Sequence, residues 1–300
     1  MGRIKNFDQD ANIAVYEGKN FRLSKMDPAY TGGFENEKMA KEKLSDDIQK
    51  LSKLQEKLYA SDNHAILIIF QAMDAAGKDS TIEHVLTGVN PQGCRITSFK
   101  RPTEEELSHD FLWRSSVALP ERGMMGIFNR SYYEEVLVTK VHPEYILGQS
   151  IPKISTLKHI NDEFWEKRYR SIRDHEKHLS ENGYIILKFF LNVSKDEQKN
   201  RFLDRINDPE KHWKFQFGDI AERQHWEKYM SAYERAISET ATKEAPWFVI
   251  PADNKWFMRT AVCDIILDTL QSLNIAFPVL PQDELAKMEE AKAILLKKEK

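Results

Sequence analysis

Long apolar runs are absent from this chain, and cysteines are rare. The longest uninterrupted apolar stretch is AILIIF at residues 65–70, well short of the roughly 18 residues that a membrane span requires. The N-terminal segment MGRIKNFDQD carries charges where a secretory signal needs an apolar core. With only two cysteines, Cys94 and Cys263, a disulfide framework is excluded. We therefore expect a cytoplasmic protein with no membrane contact.

An excess of charge of one sign is also missing. The 44 Lys and Arg residues nearly balance the 47 Asp and Glu residues, which leaves a formal net charge of −3. Domains that bind nucleic acid usually carry a basic footprint, so we expect no nucleic-acid partner. Any polyanionic ligand must therefore meet a local basic site. The 41% of hydrophobic residues exclude a disordered chain, and 300 residues allow one large or two modest domains.

Five short apolar runs, each bounded by polar or turn residues, predict strands. They lack strict alternation and are separated by helix-length segments, which is typical of a parallel sheet covered on both faces. The runs are Ala65–Phe70, Arg95–Phe99, Met124–Phe128, Tyr184–Val193 and Trp247–Ala252. The pattern indicates an α/β fold with a five-stranded parallel sheet flanked by helices.

Apolar residues at helical spacing predict the helices around this sheet. One stripe covers residues 36–60, a second runs from Leu157 to a stop near Gly183, and a third begins at Lys255. Residues 195–240 have no strand signal and predict an all-helical insertion. Residues 1–35 are interpreted as an irregular arm that wraps a neighbour or lies loose, and the end of the chain as a charged helix that frays.

The segment DAAGK at residues 74–78 follows the first predicted strand and opens the next helix. This is the context of a phosphate loop, where backbone N–H groups at a helix N-terminus and a lysine bind an anion. The candidate phosphate ligands are Ala75, Ala76, Gly77, Lys78, Asp79, Ser80 and Thr81.

Two aspartates distinguish this segment from the usual phosphate loop. Asp79 occupies the position of the hydroxyl that normally helps to hold Mg²⁺, and Asp74 adds a carboxylate inside the loop. A carboxylate among phosphates repels them unless a cation lies between, so Asp74 is the first candidate metal ligand. The alternative is an ordinary turn into a helix with the aspartate as its cap.

The third predicted strand runs into GIFNRSYYEEV, residues 126–136. Open α/β sheets bind ligands at the carboxyl ends of their strands, which places Asn129 and Arg130 beside the loop. Arg130 is a candidate for bidentate contacts to phosphate oxygens. NTPases have a metal-binding aspartate where this chain has Asn129, and Glu134 or Glu135 would restore the missing charge. In the alternative interpretation, the tyrosines at 132 and 133 are core residues and the glutamates form a solvated first turn.

Basic residues in the predicted helical insertion favour a lid over the phosphates. Arg201 and Arg205 are four residues apart and share one helix face, while Lys211 and Lys214 follow the Asp208-Pro209 break. A lid that closes over phosphate expels water and strengthens every charge contact inside. The alternative is a solvated pair of helices joined by salt bridges, because acidic residues are equally frequent in this block.

Seven segments of the chain, in this order, resemble the second family of polyphosphate kinases, P-loop enzymes that move phosphate between inorganic polyphosphate and nucleotides. The resemblance covers nearly everything from about residue 35 to 275. The segments are AMDAAGKDST, KRPTEEELSHDFLWR, ALPERGMMGIFNRSYYEEVLV, FWEKRYRSIRDHE, ILKFFLNVSKDEQKNRFLDR, KHWKF and WFVIPADNKWFMR.

The resemblance implies a thymidylate-kinase-like core with a helical lid, and a polyphosphate chain that passes the loop in a basic channel. Asp74 and Lys78 match the catalytic pair of the loop, Arg130 matches the arginine after the third strand, and Arg201 and Arg205 match the arginines of the lid. The implied domains are an arm at 1–35, a P-loop kinase domain at 36–275 with the lid inserted at about 195–240, and a helical tail at 276–300.

Two positions resemble a particular subgroup of this family. Asn129 stands where members that prefer ADP have aspartate, and Glu134 stands where those members have asparagine. The combination resembles the subgroup that accepts both AMP and ADP. Two departures remain, because Ala72 stands where many members have glycine and Arg173 where relatives often have asparagine.

The implied reaction transfers the terminal phosphate of polyphosphate to AMP or ADP, reversibly, and gives ADP or ATP. The predicted catalytic residues are Asp74, Lys78, Asn129, Arg130 and Glu134, with Asp74 and Glu134 as ligands of Mg²⁺ or, in its place, Mn²⁺. GMP and GDP are further candidate acceptors, and the family implies a homo-oligomer, either a dimer or a tetramer.

Two other functions share these sequence features. The first is a nucleoside monophosphate kinase that uses ATP as donor, since it has the same loop, sheet and lid. The second is a polyanion-binding module without turnover. The sequence leaves open which substrate lies on the loop, although the basic lid favours polyphosphate there.

Overall fold

The computed structural model describes residues 13–34 and 36–296. Its centre is one sheet of six strands, whose spatial order is β1-β6-β5-β2-β4-β3. The strands are β1 (Ala14–Val15), β2 (Ala65–Ala72), β3 (Cys94–Ser98), β4 (Met125–Asn129), β5 (Tyr184–Asn192) and β6 (Trp247–Pro251). Strands β2 to β6 are parallel to one another, and β1 runs antiparallel to β6.

The five strands predicted from the sequence are all present, but the prediction of a five-stranded sheet was wrong by one strand. Ala14 and Val15 pair with Phe248 and Trp247 and extend the sheet at its β6 edge. A two-residue strand is too short to show alternation, and neighbouring charged residues hid it in the sequence. The sheet is therefore mixed, with one antiparallel strand at its edge.

The arm also differs from the expected loose segment over the residues described. Ile13, Val15, Phe21 and Leu23 are buried in the main hydrophobic core. Residues 1–12 and 35, which belong to the same predicted arm, lie outside the described residues. Residues 13–34 therefore pack on their own chain.

The helices cover both faces of the sheet, as the order of predicted elements required. Among the described residues, five 3₁₀ turns add to them, at Leu23–Lys25, Pro91–Gly93, Tyr132–Val136, Leu157–His159 and Pro209–Lys214. In the described chain the α-helices are α1 (Glu37–Ser61), α2 (Lys78–Val85), α3 (Glu104–Ser108), α4 (Trp113–Ser116), α5 (Val138–Val141), α6 (Glu144–Leu147), α7 (Asp162–Glu181), α8 (Lys195–Asn207), α9 (Phe217–Arg223), α10 (Trp226–Thr240), α11 (Lys255–Ser272) and α12 (Gln282–Leu295).

Strand β2 lies in the middle of the sheet, between β5 and β4, and all eight of its residues are buried. In register, Phe70 of β2 faces Asn129, the last residue of β4, and Ala72 faces Leu191 near the end of β5. The parallel arrangement therefore brings the carboxyl ends of β2, β4 and β5 to one edge. Any group that follows these strands lies at that edge.

Helices α8, α9 and α10 form the block predicted as a helical insertion, and α10 packs against α7. Helix α11 packs against α1 and α2 on the sheet. Helix α12 is different, because all of its residues are exposed. Within the described parts of the chain, no helix combines the length and hydropathy that a membrane crossing needs.

Candidate active site

The predicted phosphate loop lies between the end of β2 at Ala72 and the start of α2 at Lys78. Ala75 and Gly77 have φ angles of 59° and 106°, so the chain turns through left-handed conformations here. A side chain on Gly77 would also lie 3.2 Å from Met258 of α11. No side chain caps α2, so its first-turn N–H groups keep their capacity to bind an anion.

Lys78 is folded back over the loop. Its Nζ donates to the carbonyl oxygens of Ala72 at 2.9 Å and Met73 at 3.3 Å. Burial lowers the pKa of Lys78 from its ordinary value, and the positive charge of Arg130 lowers it further. A phosphate at the loop would restore the stability of the charged lysine, because an opposite charge favours the ionised form.

The three residues after Lys78 differ in what they offer a ligand. The hydroxyls of Ser80 and Thr81 both donate to the carbonyl oxygen of Gly77, at 3.1 and 2.9 Å. Asp79 accepts a hydrogen bond from the side-chain amide of Asn129. The hydroxyl protons are thus used within the helix, and the backbone N–H groups are the donors that remain for phosphate.

Arg130 lies at the centre of the site, directly after β4. Its backbone has a φ of 64°, and its N–H donates to the carbonyl oxygen of Phe70 at 3.0 Å. The guanidinium donates to Asp74 at 2.9 Å and lies 3.8 Å from Glu134. The side chain keeps 41% of its surface exposed, so it is available to a ligand.

Glu134 is partly buried beside this arginine, with 16% of its side chain exposed. Burial raises the pKa of Glu134, while the charges of Arg130 and Lys78 act in the opposite direction. With its amide nitrogen turned toward Glu134, Gln71 donates to Oε1 at 2.8 Å. Gln71 was not predicted from the sequence, because a glutamine inside an apolar strand gives no signal of its own.

Asp74 and Glu134 both contact Arg130, so the structure brings the two predicted metal ligands together. Among the described residues, no group of three or more His, Cys, Asp or Glu side chains is arranged to hold a metal. Protein sites for Mg²⁺ commonly supply one or two carboxylates and leave the other positions to substrate phosphates and water. The donor set therefore fits a metal shared with phosphates, and the metal ligands stay a prediction.

Arg201, predicted as an arginine of the lid, is nearly buried. Its guanidinium donates to the carbonyl oxygens of Ala76 at 2.6 Å and Ala252 at 2.5 Å, with longer contacts to Ala75 and Asp253. Its Nε donates to Glu197 at 2.7 Å. Arg201 thus ties the phosphate loop to the turn between β6 and α11, and its contact with phosphate stays a prediction.

The other predicted basic residues lie farther out. Arg205 is 3.5 Å from Asp219 of α9 and 3.3 Å from the carbonyl oxygen of Lys214. Lys211 pairs with Asp208 at 2.6 Å, and Lys214 lies over the ring of Trp213. Both lysines are exposed on the 3₁₀ turn. The structure does not bring these two lysines to the loop.

Two residues of the helical block were not singled out by the sequence, one in contact with the loop and one beside Arg205. Gln198 donates to the carbonyl oxygen of Asp74 at 2.9 Å. Burial and the charge of Asp74 raise the pKa of Asp219, while the charges of Arg205, Arg130 and Lys78 act in the opposite direction. Gln198 precedes Arg201 by three residues, so the two share a helix face, and this spacing could have predicted the position of Gln198. No sequence pattern indicated Asp219.

The alternative interpretation of the segment after Arg130 is confirmed in part. Tyr132 and Tyr133 are fully buried core residues. Glu135 is buried rather than solvated, because it forms an ion pair with Arg168 at 3.2 Å and accepts from Gln149. Of the two glutamates, only Glu134 contacts the site described here.

A separate cleft of about 740 Å³ lies against the first half of α7. Its walls include Phe111, Phe164 and Arg168, but none of the predicted site residues. The volume lies in the usual range for small-molecule sites. The cleft adjoins a smaller cavity that reaches Arg114 and Glu135, one residue from Glu134.

Comparison with known proteins points to one family. The family profile described as "Polyphosphate kinase 2" matches residues 35–278. An ADP-polyphosphate phosphotransferase of Rhodopseudomonas palustris is 50% identical over 264 residues, which are 88% of this chain and 90% of that protein. An AMP/ADP-polyphosphate phosphotransferase of Meiothermus ruber is 46% identical over 259 residues, which are 86% of this chain and 91% of that protein.

The same similarity extends to a solved structure. The crystal structure of a polyphosphate kinase 2 from Arthrobacter aurescens superposes with a TM-score of 0.83 and 41% sequence identity. The match covers 93% of this chain and 95% of that chain. The likeness therefore includes the sheet, the loop and the helical block together.

Proposed function

Because the chain belongs to the polyphosphate kinase 2 family, we propose that it transfers the terminal phosphate of inorganic polyphosphate to AMP and to ADP. The products are ADP and ATP. The observation that carries the proposal is the convergence of Asp74, Lys78, Arg130 and Glu134 at the carboxyl ends of β2 and β4. Two cations and two carboxylates at a phosphate loop suit the transfer of a phosphoryl group.

The reaction begins with a terminal phosphate oxygen of the acceptor nucleotide, which attacks the end phosphorus of polyphosphate. The bond from that phosphorus to its bridging oxygen breaks, and the shortened chain leaves. The attacking oxygen is already largely ionised at neutral pH, since the second pKa of a phosphate monoester is about 6. The protein therefore has no need of a general base.

The side chains of the site stabilise the charge that spreads over the transferred group. Lys78 would exchange its two carbonyl contacts for phosphate oxygens, and Arg130 offers a fixed pair of N–H donors. Asp74 and Glu134 would hold Mg²⁺, or Mn²⁺ in its place, against the phosphates. That cation, when bound, would neutralise phosphate charge between donor and acceptor.

We place polyphosphate on the loop and the nucleotide opposite it, beside Arg130. Helices α8 to α10 would act as a lid, because Gln198 and Arg201 of α8 already connect the helical block to the loop region. Closure of a lid excludes water and strengthens the charge contacts inside. The homo-oligomer and the cytoplasmic location stay predictions.

The bond that is broken and the bond that is formed from ADP are both phosphoanhydrides. The free-energy difference between donor and product is therefore small, and the reaction runs in either direction according to concentrations. With an excess of polyphosphate, ADP and ATP accumulate.

One assay tests this function. The purified protein is incubated with Mg²⁺, polyphosphate and AMP, without ATP, and the nucleotides are separated by chromatography. We expect ADP first and ATP later. An enzyme that needs ATP as donor would form neither product from this mixture, and a polyanion-binding module would bind polyphosphate without turnover. Either result would reject the proposal.

The loop is tested by Lys78→Ala, with Lys53→Ala on the exposed side of α1 as the control that changes net charge equally. Loss of one charged donor to the transferred phosphate should lower kcat by about 10²–10³-fold. Circular dichroism should show an intact fold in both variants. Wild-type turnover in folded Lys78→Ala would remove the loop from the mechanism.

A further inference from the structure

A buried ion pair lies below the site, in residues that the proposed reaction does not use. Lys188 in the middle of β5 has no exposed surface, and Glu176 of α7 is 1% exposed. Their Nζ and Oε2 atoms are 2.6 Å apart. A buried ion pair loses the hydration of both charges, and an apolar pair of similar volume is often as stable. Stability alone therefore does not explain this pair.

Every proton of the lysine has an acceptor. Besides Glu176, Lys188 donates to the hydroxyl oxygen of Tyr133 at 3.0 Å and to the carbonyl oxygen of Thr240 at 2.8 Å. The second carboxylate oxygen of Glu176 lies 2.9 Å from the Tyr132 hydroxyl and 2.8 Å from the Tyr133 hydroxyl. The pair thus fixes two neighbouring tyrosines through hydrogen bonds to a charged group, which are the stronger kind.

These tyrosines are the first two residues of the 3₁₀ turn that follows Arg130, and the third residue is Glu134. Arg130 itself has a left-handed backbone, which a residue with a side chain keeps only when its surroundings hold it on both sides. On the β4 side the hydrogen bond to Phe70 holds it. On the other side the turn is held by Ser131 and by the two phenol hydroxyls.

The same cluster reaches the end of the helical block. Thr240 is the last residue of α10, and its hydroxyl oxygen accepts from the indole N–H of Trp247 at 2.9 Å. Its carbonyl oxygen accepts from Lys188. One lysine therefore contacts both the turn that carries Glu134 and the point where the helical block returns to the sheet.

We propose that Glu176 and Lys188 are positioning residues for phosphate transfer, which act through Tyr132 and Tyr133 on Arg130 and Glu134. The inference rests on the proposed function. A small displacement of the Arg130 guanidinium weakens its contacts to the transferred group but leaves the other substrate-binding residues in place. The expected defect is therefore in kcat rather than in KM.

The test uses two charge-neutral replacements of the pair. Glu176→Leu with Lys188→Met leaves no charge unpaired, but it removes the acceptor of the Tyr132 hydroxyl and leaves the Tyr133 hydroxyl with Thr240 Oγ1 alone, at 2.8 Å. Glu176→Gln with Lys188→Met keeps an oxygen acceptor for them. With saturating AMP and polyphosphate, we expect the first to lower kcat by about ten- to a hundredfold, with KM nearly unchanged, and the second to recover most of that loss.

The double variant Tyr132→Phe/Tyr133→Phe keeps the ion pair and tests the connection without the risk of misfolding from the buried charges. It should lower kcat in the wild-type background and have little further effect in Arg130→Lys, because residues that act through one group are not additive. The control is Tyr169→Phe, a buried tyrosine of α7 whose hydroxyl has no hydrogen-bond partner among the described residues. It should leave kcat unchanged.

The outcomes separate the inference from the function on which it rests. If the wild-type protein transfers no phosphate, the function fails and the inference fails with it. If the wild-type protein is active, three results overturn the inference alone: unchanged kcat in the double variant Tyr132→Phe/Tyr133→Phe, equal losses in the leucine and glutamine replacements, or additive losses with Arg130→Lys.

Discussion

Two unusual residues of the loop region contact each other. Asp79 stands where phosphate loops have a hydroxyl, Asn129 stands where NTPases have aspartate, and the amide of Asn129 donates to the carboxylate of Asp79. An aspartate at 129 would place two carboxylates in contact and require a cation between them. The neutral amide removes this repulsion. Asp79 and Asn129, which both depart from the usual motif, are therefore explained together by the hydrogen bond between them.

Glu134 is the residue at which we predict a change of acceptor preference. Its carboxylate opposes the charge of Arg130, so Glu134→Asn makes the site more positive. A more positive site favours ADP, which carries about one more negative charge than AMP. We expect kcat/KM for AMP to fall on the order of tenfold more than kcat/KM for ADP.

Steady-state kinetics with each nucleotide at saturating polyphosphate measure this difference. Glu121→Asn is the control, because it removes an equal charge from an exposed position. Equal losses for the two acceptors in Glu134→Asn would contradict the predicted role of this carboxylate in AMP use.

At the scale of one helix, α8 presents two arginines with different surroundings. The side chain of Arg201 is 5% exposed and donates to carbonyl oxygens of the loop and of the β6–α11 turn. The side chain of Arg205 is 19% exposed and lies at the limit of hydrogen-bond distance from Asp219. The helix therefore has one arginine that joins elements of the core and one that is more accessible to a ligand.

We predict that Arg201→Ala lowers the free energy of unfolding by about 2–3 kcal/mol, because it removes charged hydrogen bonds from buried carbonyl groups. Arg205→Ala should cost less than about 1 kcal/mol, since its ion pair is longer and partly solvated. Urea unfolding of both variants measures the difference. Equal costs would mean that the carbonyl contacts of Arg201 do not persist in solution.

For the whole molecule, the two ends of the described chain contribute unequally to stability. Ile13, Val15, Phe21 and Leu23 lie in the core, whereas α12 is exposed throughout. Gly18 packs so closely on α10 that a side chain there would lie 1.8 Å from the carbonyl oxygen of Ser238. The N–H of Leu23 donates to Glu234 of α10 at 2.8 Å. The arm thus stabilises the helical block as well as the sheet.

Removal of residues 1–24 should lower the melting temperature by about 10 °C or more, because each buried apolar side chain of the arm is worth about 1.5–3 kcal/mol. Removal of residues 277–300 should change it by less than about 1 °C, since exposed residues contribute little. Differential scanning calorimetry on the two truncated proteins measures both changes in melting temperature. A large loss in the second protein would show that α12 is covered in solution.

The strands and the loop were predictable because their signals are local. Apolar runs marked β2 to β6 to within one or two residues, and glycine and lysine after a strand marked the loop. The short strand at Ala14–Val15 escaped, because two residues are too few to show a pattern and only their pairing with β6 makes them a strand. The roles of Gln71, Gln198 and Asp219 escaped for the same reason, since each depends on a neighbour from another element.

Residue order was enough to establish the α/β class, the family resemblance and the residues that carry charge to the loop. Periodicity, glycine placement and charge type act over a few residues, so they can be read along the chain. The contacts of the other charged residues were decided by the packing of elements that are distant in the chain. It turned Arg201 toward carbonyl oxygens, left Lys211 and Lys214 in solvent, and buried Lys188 and Glu176 against the tyrosines that follow Arg130. These assignments depend on burial and on partners that only a folded chain brings within hydrogen-bond distance.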